Sequence, residues 1–119
     1  MATRKTNPDF LNGVPELLIL QLLDRRQMHG YDLVQAIRDA SEMKLDFGEG
    51  CIYPVLHRLE EQKLLASKRQ LVGGRNRIVY RVTKQGQKRL VESLATWNTI
   101  VAAVGTVLQG GAHERPAMA

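Results

Sequence analysis

Apolar residues recur at helical spacing in four stretches of the chain and alternate in one. In the first, Leu17, Leu18, Leu20 and Leu22, with Gln21 among them, make a segment over 15–25 that is apolar nearly all round. Pro15 suits its first turn and Glu16 its positive end. This pattern predicts a central helix packed on several sides or shared with a second subunit. A short connection over 26–30 follows, in which Gly30 breaks the pattern. Leu33, Val34, Ile37 and Ala40 then predict a helix over 31–40, with Asp32, Gln35, Arg38 and Asp39 facing out. Residues 41–50 are mixed in polarity and read as a loop. Beyond them Ile52, Val55, Leu56 and Leu59 fall on one helical face. The other face carries Glu49, Tyr53, His57, Arg58 and Glu61. Pro54 restricts the start of this third helix to Glu49 or Gly50, because proline is tolerated in a first turn and breaks an interior one.

After Leu65 the period becomes two. Strands over 66–72 and 75–82, separated by Gly73 and Gly74, predict a β-hairpin. Thr83 is placed to cap the next helix. That helix, over 84–108, shows Leu90, Leu94, Trp97, Val101, Val104 and Leu108 at steps of four and three, a heptad seam broadened by Ile100 and Val107. An amphipathic helix of this length exceeds what so small a domain covers, and a second copy of the chain is the simplest cover. Residues 1–12 read as a flexible N-terminal arm and 109–119 as a disordered tail, since neither has a period.

Charge sharpens this outline. The 119 residues carry a formal net charge of +5, and the excess is uneven. Lys63, Lys68, Arg69, Arg75, Arg77, Arg81, Lys84, Lys88 and Arg89 all lie between Gln62 and Val91, a stretch without a carboxylate. Such a patch attracts phosphates or an anionic surface. No uninterrupted apolar run approaches the ~20 residues of a membrane span, and no signal segment opens the chain. Cys51, the one cysteine, has no internal disulfide partner, so a reducing cytoplasm is the expected compartment. His29, Cys51 and His57 lack metal-ligand spacing. His29 is expected to pack or cap between the first two helices. Cys51, near a helix start, reads either as a redox-active thiol or as a buried one. No nucleotide loop, recognised nucleophile motif or paired carboxylates in a suggestive setting appear, so neither an enzyme nor a cofactor is expected.

The order of helix, helix, helix, hairpin and long helix predicts a mainly α fold with a small β-hairpin. It is a winged helix-turn-helix over 13–83 followed by a C-terminal dimerisation helix over 84–108. In that architecture helix 3 enters the DNA major groove and the hairpin, or wing, meets the adjacent backbone. Tyr53, His57 and Arg58 on helix 3, Lys63 after it, and Arg75 and Arg77 at the wing tip are the candidate DNA contacts. The competing reading packs Tyr53 on helix 2 and pairs Arg58 with Glu60 or Glu61. Winged helices also bind proteins, so an adaptor for an acidic partner is the alternative function.

Four segments resemble the PadR family of bacterial transcriptional regulators: Leu17 to Leu20; Met28-His29-Gly30-Tyr31-Asp32-Leu33; Ile52-Tyr53-Pro54-Val55-Leu56-His57-Arg58-Leu59-Glu60; and Tyr80-Arg81-Val82-Thr83 with Gly86. The resemblance spans 17 to about 94. With a single C-terminal helix the chain is similar to the short subfamily, which implies a homodimeric repressor acting on a palindromic DNA operator. It also implies a pocket at the dimer interface where planar, often cationic, aromatic effectors stack on Trp97, with Val101 beside it; a Trp97 that fills the dimer core is the other reading. The dimer contacts would be Leu90, Leu94, Trp97, Val101, Val104 and Leu108. The chain departs from the family pattern at three places. Gly48 and Cys51 stand where a hydroxyl is usual, His57 where lysine is usual, and Lys63 where glycine is frequent. A histidine contact depends on pH as a lysine contact does not. A lysine in a left-handed conformation costs about 1 kcal/mol.

Overall fold

A computed structural model of the chain describes residues 13–110. The expected arm over 1–12, and the expected tail beyond Gly110, lie outside the described residues. The elements are α1 (Val14–Arg25), β1 (Met28–His29), α2 (Gly30–Ala40), α3 (Glu49–Glu61), β2 (Leu65–Val72), β3 (Arg75–Val82) and α4 (Lys84–Leu108). The strands form one antiparallel sheet in the order β1-β3-β2. This is a winged helix-turn-helix with a long C-terminal helix, as the periodicity predicts.

α1 is the centre of the domain. Ile19, Leu20 and Leu23 are buried, and Leu17, Leu18 and Leu22 pack against the same core. The helix touches α2, α3, α4 and β3, which accounts for its nearly all-round apolar sequence. β1 is an addition to the expected outline. Met28 pairs with Tyr80 and His29 with Val79, but two residues have no period to reveal them. His29 also caps α2: its Nδ1 accepts from the Asp32 backbone N–H at 3.3 Å.

Gly48, at φ 76°, caps α3, and the helix starts at Glu49. Pro54 is nevertheless its sixth residue, within the second turn and not the first. Its ring removes the hydrogen bond that the Gly50 carbonyl would accept. Gly50 and Pro54 are both exposed, so water can take that carbonyl and the break is cheap. At the other end α3 closes in a Schellman motif. Leu64 N–H donates to the Leu59 carbonyl and Lys63 N–H to the Glu60 carbonyl, each at 2.9 Å. Lys63 occupies the left-handed position at φ 64°.

Gly73 and Gly74, at φ 58° and 81°, make the tight hairpin turn. The Thr83 hydroxyl accepts from Gly86 N–H at 3.0 Å, capping α4, and donates to the Lys63 carbonyl at 2.7 Å. Gly86 lies directly on the Leu64 carbonyl, where a side chain has no room. The end of α3 and the start of α4 are thereby joined.

Two expectations about α4 change. Leu90, assigned to the dimer seam, is 5 % exposed and belongs to the chain's own core, and Leu94 packs against that core. The uncovered apolar face begins at Trp97 and runs through Ile100, Val101, Val104, Val107 and Leu108. In addition, α4 is long and apolar enough to cross a membrane by length and composition, with a mean hydropathy of 1.3 and 6 % of that window buried. No uninterrupted apolar run marks this in the sequence, because threonine, serine and asparagine are interspersed.

Candidate nucleic-acid interface

Ile52, Leu56 and Leu59 seat α3 on the core. Its opposite side exposes Gly50, Pro54, His57 and Glu61. His57 therefore stands on the outward face, and Tyr53 and Arg58 stand on the two flanks.

Tyr53 leans toward α2 and the wing. A Cβ added to Gly30 would come within 2.5 Å of its ring, so glycine at the start of α2 makes room for the tyrosine. The packing on helix 2 weighed above is thus present, and it leaves the ring half-buried. The Tyr53 and His57 ring centroids are 6.4 Å apart. Burial first, then Glu49, raise the phenol pKa above its ordinary 10.0, and Arg77 partly offsets them. The hydroxyl stays protonated and can donate to a phosphate oxygen.

Arg58 differs from both readings offered for it. It neither projects freely from the outward face nor pairs with Glu60 or Glu61. Its Nη1 donates to Glu16 Oε1 of α1 at 3.1 Å. Glu60 instead accepts from the Ser67 hydroxyl at 2.6 Å, tying α3 to β2. The pattern of α3 gives no sign of the Glu16 contact, because its partners are 42 residues apart.

Lys63 and Arg75 are exposed, and Arg77 is half-buried opposite its strand partner Gln70. Lys68, Arg69 and Arg81 are exposed along the same hairpin. The structure thus places His57 and Arg77 each near Tyr53, sets Arg75 farther out on the wing, and turns Arg58 away toward α1. Cys51 is half-buried in the first turn of α3, and burial raises its thiol pKa above the ordinary 9.0. That direction opposes thiolate formation and disfavours the redox reading.

A groove of about 590 Å³ runs between α1 and α4, lined among others by Glu16, Leu17, Arg89, Glu92, Trp97 and Ile100. Trp97 is there, as the effector expectation has it. Val101 does not line this groove, and Ile100 takes the place beside the indole. Among the described residues, no group of three or more His, Cys, Asp or Glu is placed to hold a metal ion.

The geometry agrees with the comparisons to known proteins. Transcriptional regulator Rv3488 of Mycobacterium tuberculosis (strain ATCC 25618 / H37Rv) is 37 % identical over 84 residues, 71 % of this chain and 76 % of that protein. Transcriptional regulator YqjI of Escherichia coli (strain K12) is 36 % identical over 84 residues, again 71 % of this chain. The match spans only 39 % of the length of YqjI. Among solved structures, a PadR family transcriptional regulator from Eggerthella lenta DSM 2243 superposes with a TM-score of 0.73 at 33 % identity, over 84 % of this chain and 86 % of that one. A PadR-like transcriptional regulator from Bacillus cereus strain ATCC 14579 gives 0.74 at 29 %, over 86 % and 98 %. These relatives are transcriptional regulators, not enzymes. The model of the PadR-like transcriptional regulator family matches residues 19–92, more than half of the 119, and the chain belongs to that family.

Proposed function

We propose that the chain is a homodimeric, sequence-specific DNA-binding regulator of transcription in the cytoplasm, a repressor released by a planar aromatic effector bound near the dimer interface. The observation that carries this reading is the outward face of α3. His57 is exposed at its middle, the Tyr53 donor is on its flank, and the acid-free wing with Arg75 and Arg77 stands beside it. A helix seated on its core by one face, with a basic hairpin alongside, suits a major groove and the neighbouring phosphates. In this reading residues 13–83 meet DNA and 84–108 pair two copies. The apolar face from Trp97 to Leu108 supports the pairing, because a large uncovered apolar stripe calls for a partner. Two copies of α3 would read half-sites of a palindrome about one turn apart. Occupancy of the groove beside Trp97 would change their spacing.

The test is a gel shift on DNA upstream of the chain's own gene against scrambled DNA, repeated across salt concentrations. Preference for the upstream duplex, with affinity falling steeply as salt rises, is expected. Equal binding to both duplexes would sink the sequence-specific reading.

A further inference from the structure

Glu16 stands in the first turn of α1 with its side chain 16 % exposed, and its carboxylate is divided between two other helices. Oε1 accepts from Arg58 Nη1 of α3 at 3.1 Å, and Oε2 accepts from Arg89 Nη1 of α4 at 2.9 Å. Each arginine has one oxygen, so neither forms the two-pronged pair that holds a guanidinium most firmly. The Arg58 side chain is 47 % exposed and lies one residue beyond His57, which is on the outward face. A guanidinium accepts a carboxylate or a phosphate with the same fork of donors. A half-exposed, singly bonded arginine beside the proposed path of a DNA backbone thus has two competing acceptors. The internal one stays put, because Glu16 is largely buried and Arg89 holds its other oxygen.

We propose that Glu16 is a positioning residue that withholds Arg58 from DNA phosphates, so that α3 binds with one cation fewer than its sequence carries. This rests on the reading that α3 faces DNA. Glu16 also lines the groove beside Trp97, which places the hold on Arg58 at the edge of the candidate effector site.

The test measures affinity for the upstream duplex by fluorescence anisotropy across salt concentrations, using the full chain and four variants. Each phosphate neutralised steepens the dependence of log affinity on log salt by about 0.9. Glu16→Gln is expected to steepen the slope by about that amount and to tighten binding at low salt. Arg58→Gln is expected to match the wild type, and Glu16→Gln combined with Arg58→Gln to return to the wild-type slope. Asp24→Asn removes a charge of the same sign from the same helix; its side chain accepts from Gln87, and it is expected to leave the slope unchanged. If Glu16→Gln does not fold by circular dichroism, Glu16→Asp, which keeps the charge one methylene short of both arginines, carries the same expectation. An unchanged slope in the Glu16 variant overturns the proposal. So does an equal steepening when Arg58 is already glutamine, which would mark a general charge effect. In either case the DNA reading stands. A wild type without specific, salt-sensitive binding overturns both.

Discussion

The ring of Tyr53 lies against the Cα of Gly30 so closely that a Cβ placed there would stand 2.5 Å from Cε1 and 2.8 Å from the hydroxyl oxygen. Gly30→Ala therefore displaces the ring. Since the crowding atoms are the far end of a rotatable, half-buried side chain, stability is expected to fall by only about 1 kcal/mol, the low end for overpacking. DNA affinity is expected to fall roughly tenfold, the worth of one hydrogen bond to a charged acceptor. Anisotropy titrations should give the same loss for Tyr53→Ala and for the double variant. A further loss in the double variant would separate Gly30 from Tyr53.

Gly86 presents the opposite case. The atom its Cβ would strike is the Leu64 backbone carbonyl, which also accepts from the Thr83 N–H at 3.0 Å and cannot rotate away. Gly86→Ala is expected to cost about 3 kcal/mol, the upper end for overpacking. Thermal melting followed by circular dichroism should show a midpoint lower by about 15 °C.

Lys63 holds a left-handed backbone at φ 64° in the Schellman turn. Lys63→Gly is expected to stabilise the domain by about 1 kcal/mol, raising the melting midpoint by about 5 °C. If Lys63 also meets a phosphate, as its place among the candidate DNA contacts predicts, the same variant lowers the salt slope by about 0.9. The two readouts are independent.

Val104 is 49 % exposed in the middle of the uncovered face of α4. If that face pairs two copies, Val104→Glu is expected to sediment at half the wild-type mass while keeping its circular dichroism spectrum. A wild type that itself sediments at the monomer mass would remove the dimer from the proposal, and a dimeric variant would move the pairing away from this face. Recovery of the wild type only in detergent would favour insertion of α4 into a bilayer instead.

Alkaline pH is expected to weaken the fold. Burial raises the pKa of Cys51 above 9.0 and is the leading cause of the raised values of Tyr53 and Tyr80 above 10.0. The native state holds these protons longer than the unfolded chain. Their contribution is present below the unfolded values and is lost as pH climbs from about 9 through the higher native ones. Urea midpoints measured from pH 8 to 11 should fall across that window. A thiol reagent at pH 7 should modify the native chain more slowly than the urea-unfolded chain.

The helices and the hairpin were legible because each has an apolar face of several turns or pairs, and Lys63 because the family resemblance marked a glycine position. Other features are long-range, and periodicity is blind to them. β1 exists only because β3 offers Met28 and His29 a ladder. Arg58 is oriented by Glu16, 42 residues earlier. The heptad seam continues unbroken from Leu90 to Leu108, and nothing in its spacing marks where the chain's own core ends. His57 was placed correctly by face alone. The flanking position of Tyr53 required knowing that Gly30 leaves space.

α4 is a single helix of 25 residues, about 37 Å long at the standard rise. Its first turns are wedged against the Leu64 carbonyl, which follows the last turn of α3, and are tied to α1 through Gln87 and Arg89, whereas Val101, Val104, Val107 and Leu108 near its far end are exposed among the described residues. In the proposed dimer it would act as a lever held at one end by Gly86 on Leu64 and by Leu90, Leu94, Gln87 and Arg89 on the core and α1, and loaded at the other. In that dimer, a small tilt imposed on the remote tip would reach α3 as a change of aim, with no side chain near α3 having been touched. The stiffness of the span from Trp97 to Leu108 would then set how faithfully that aim is held.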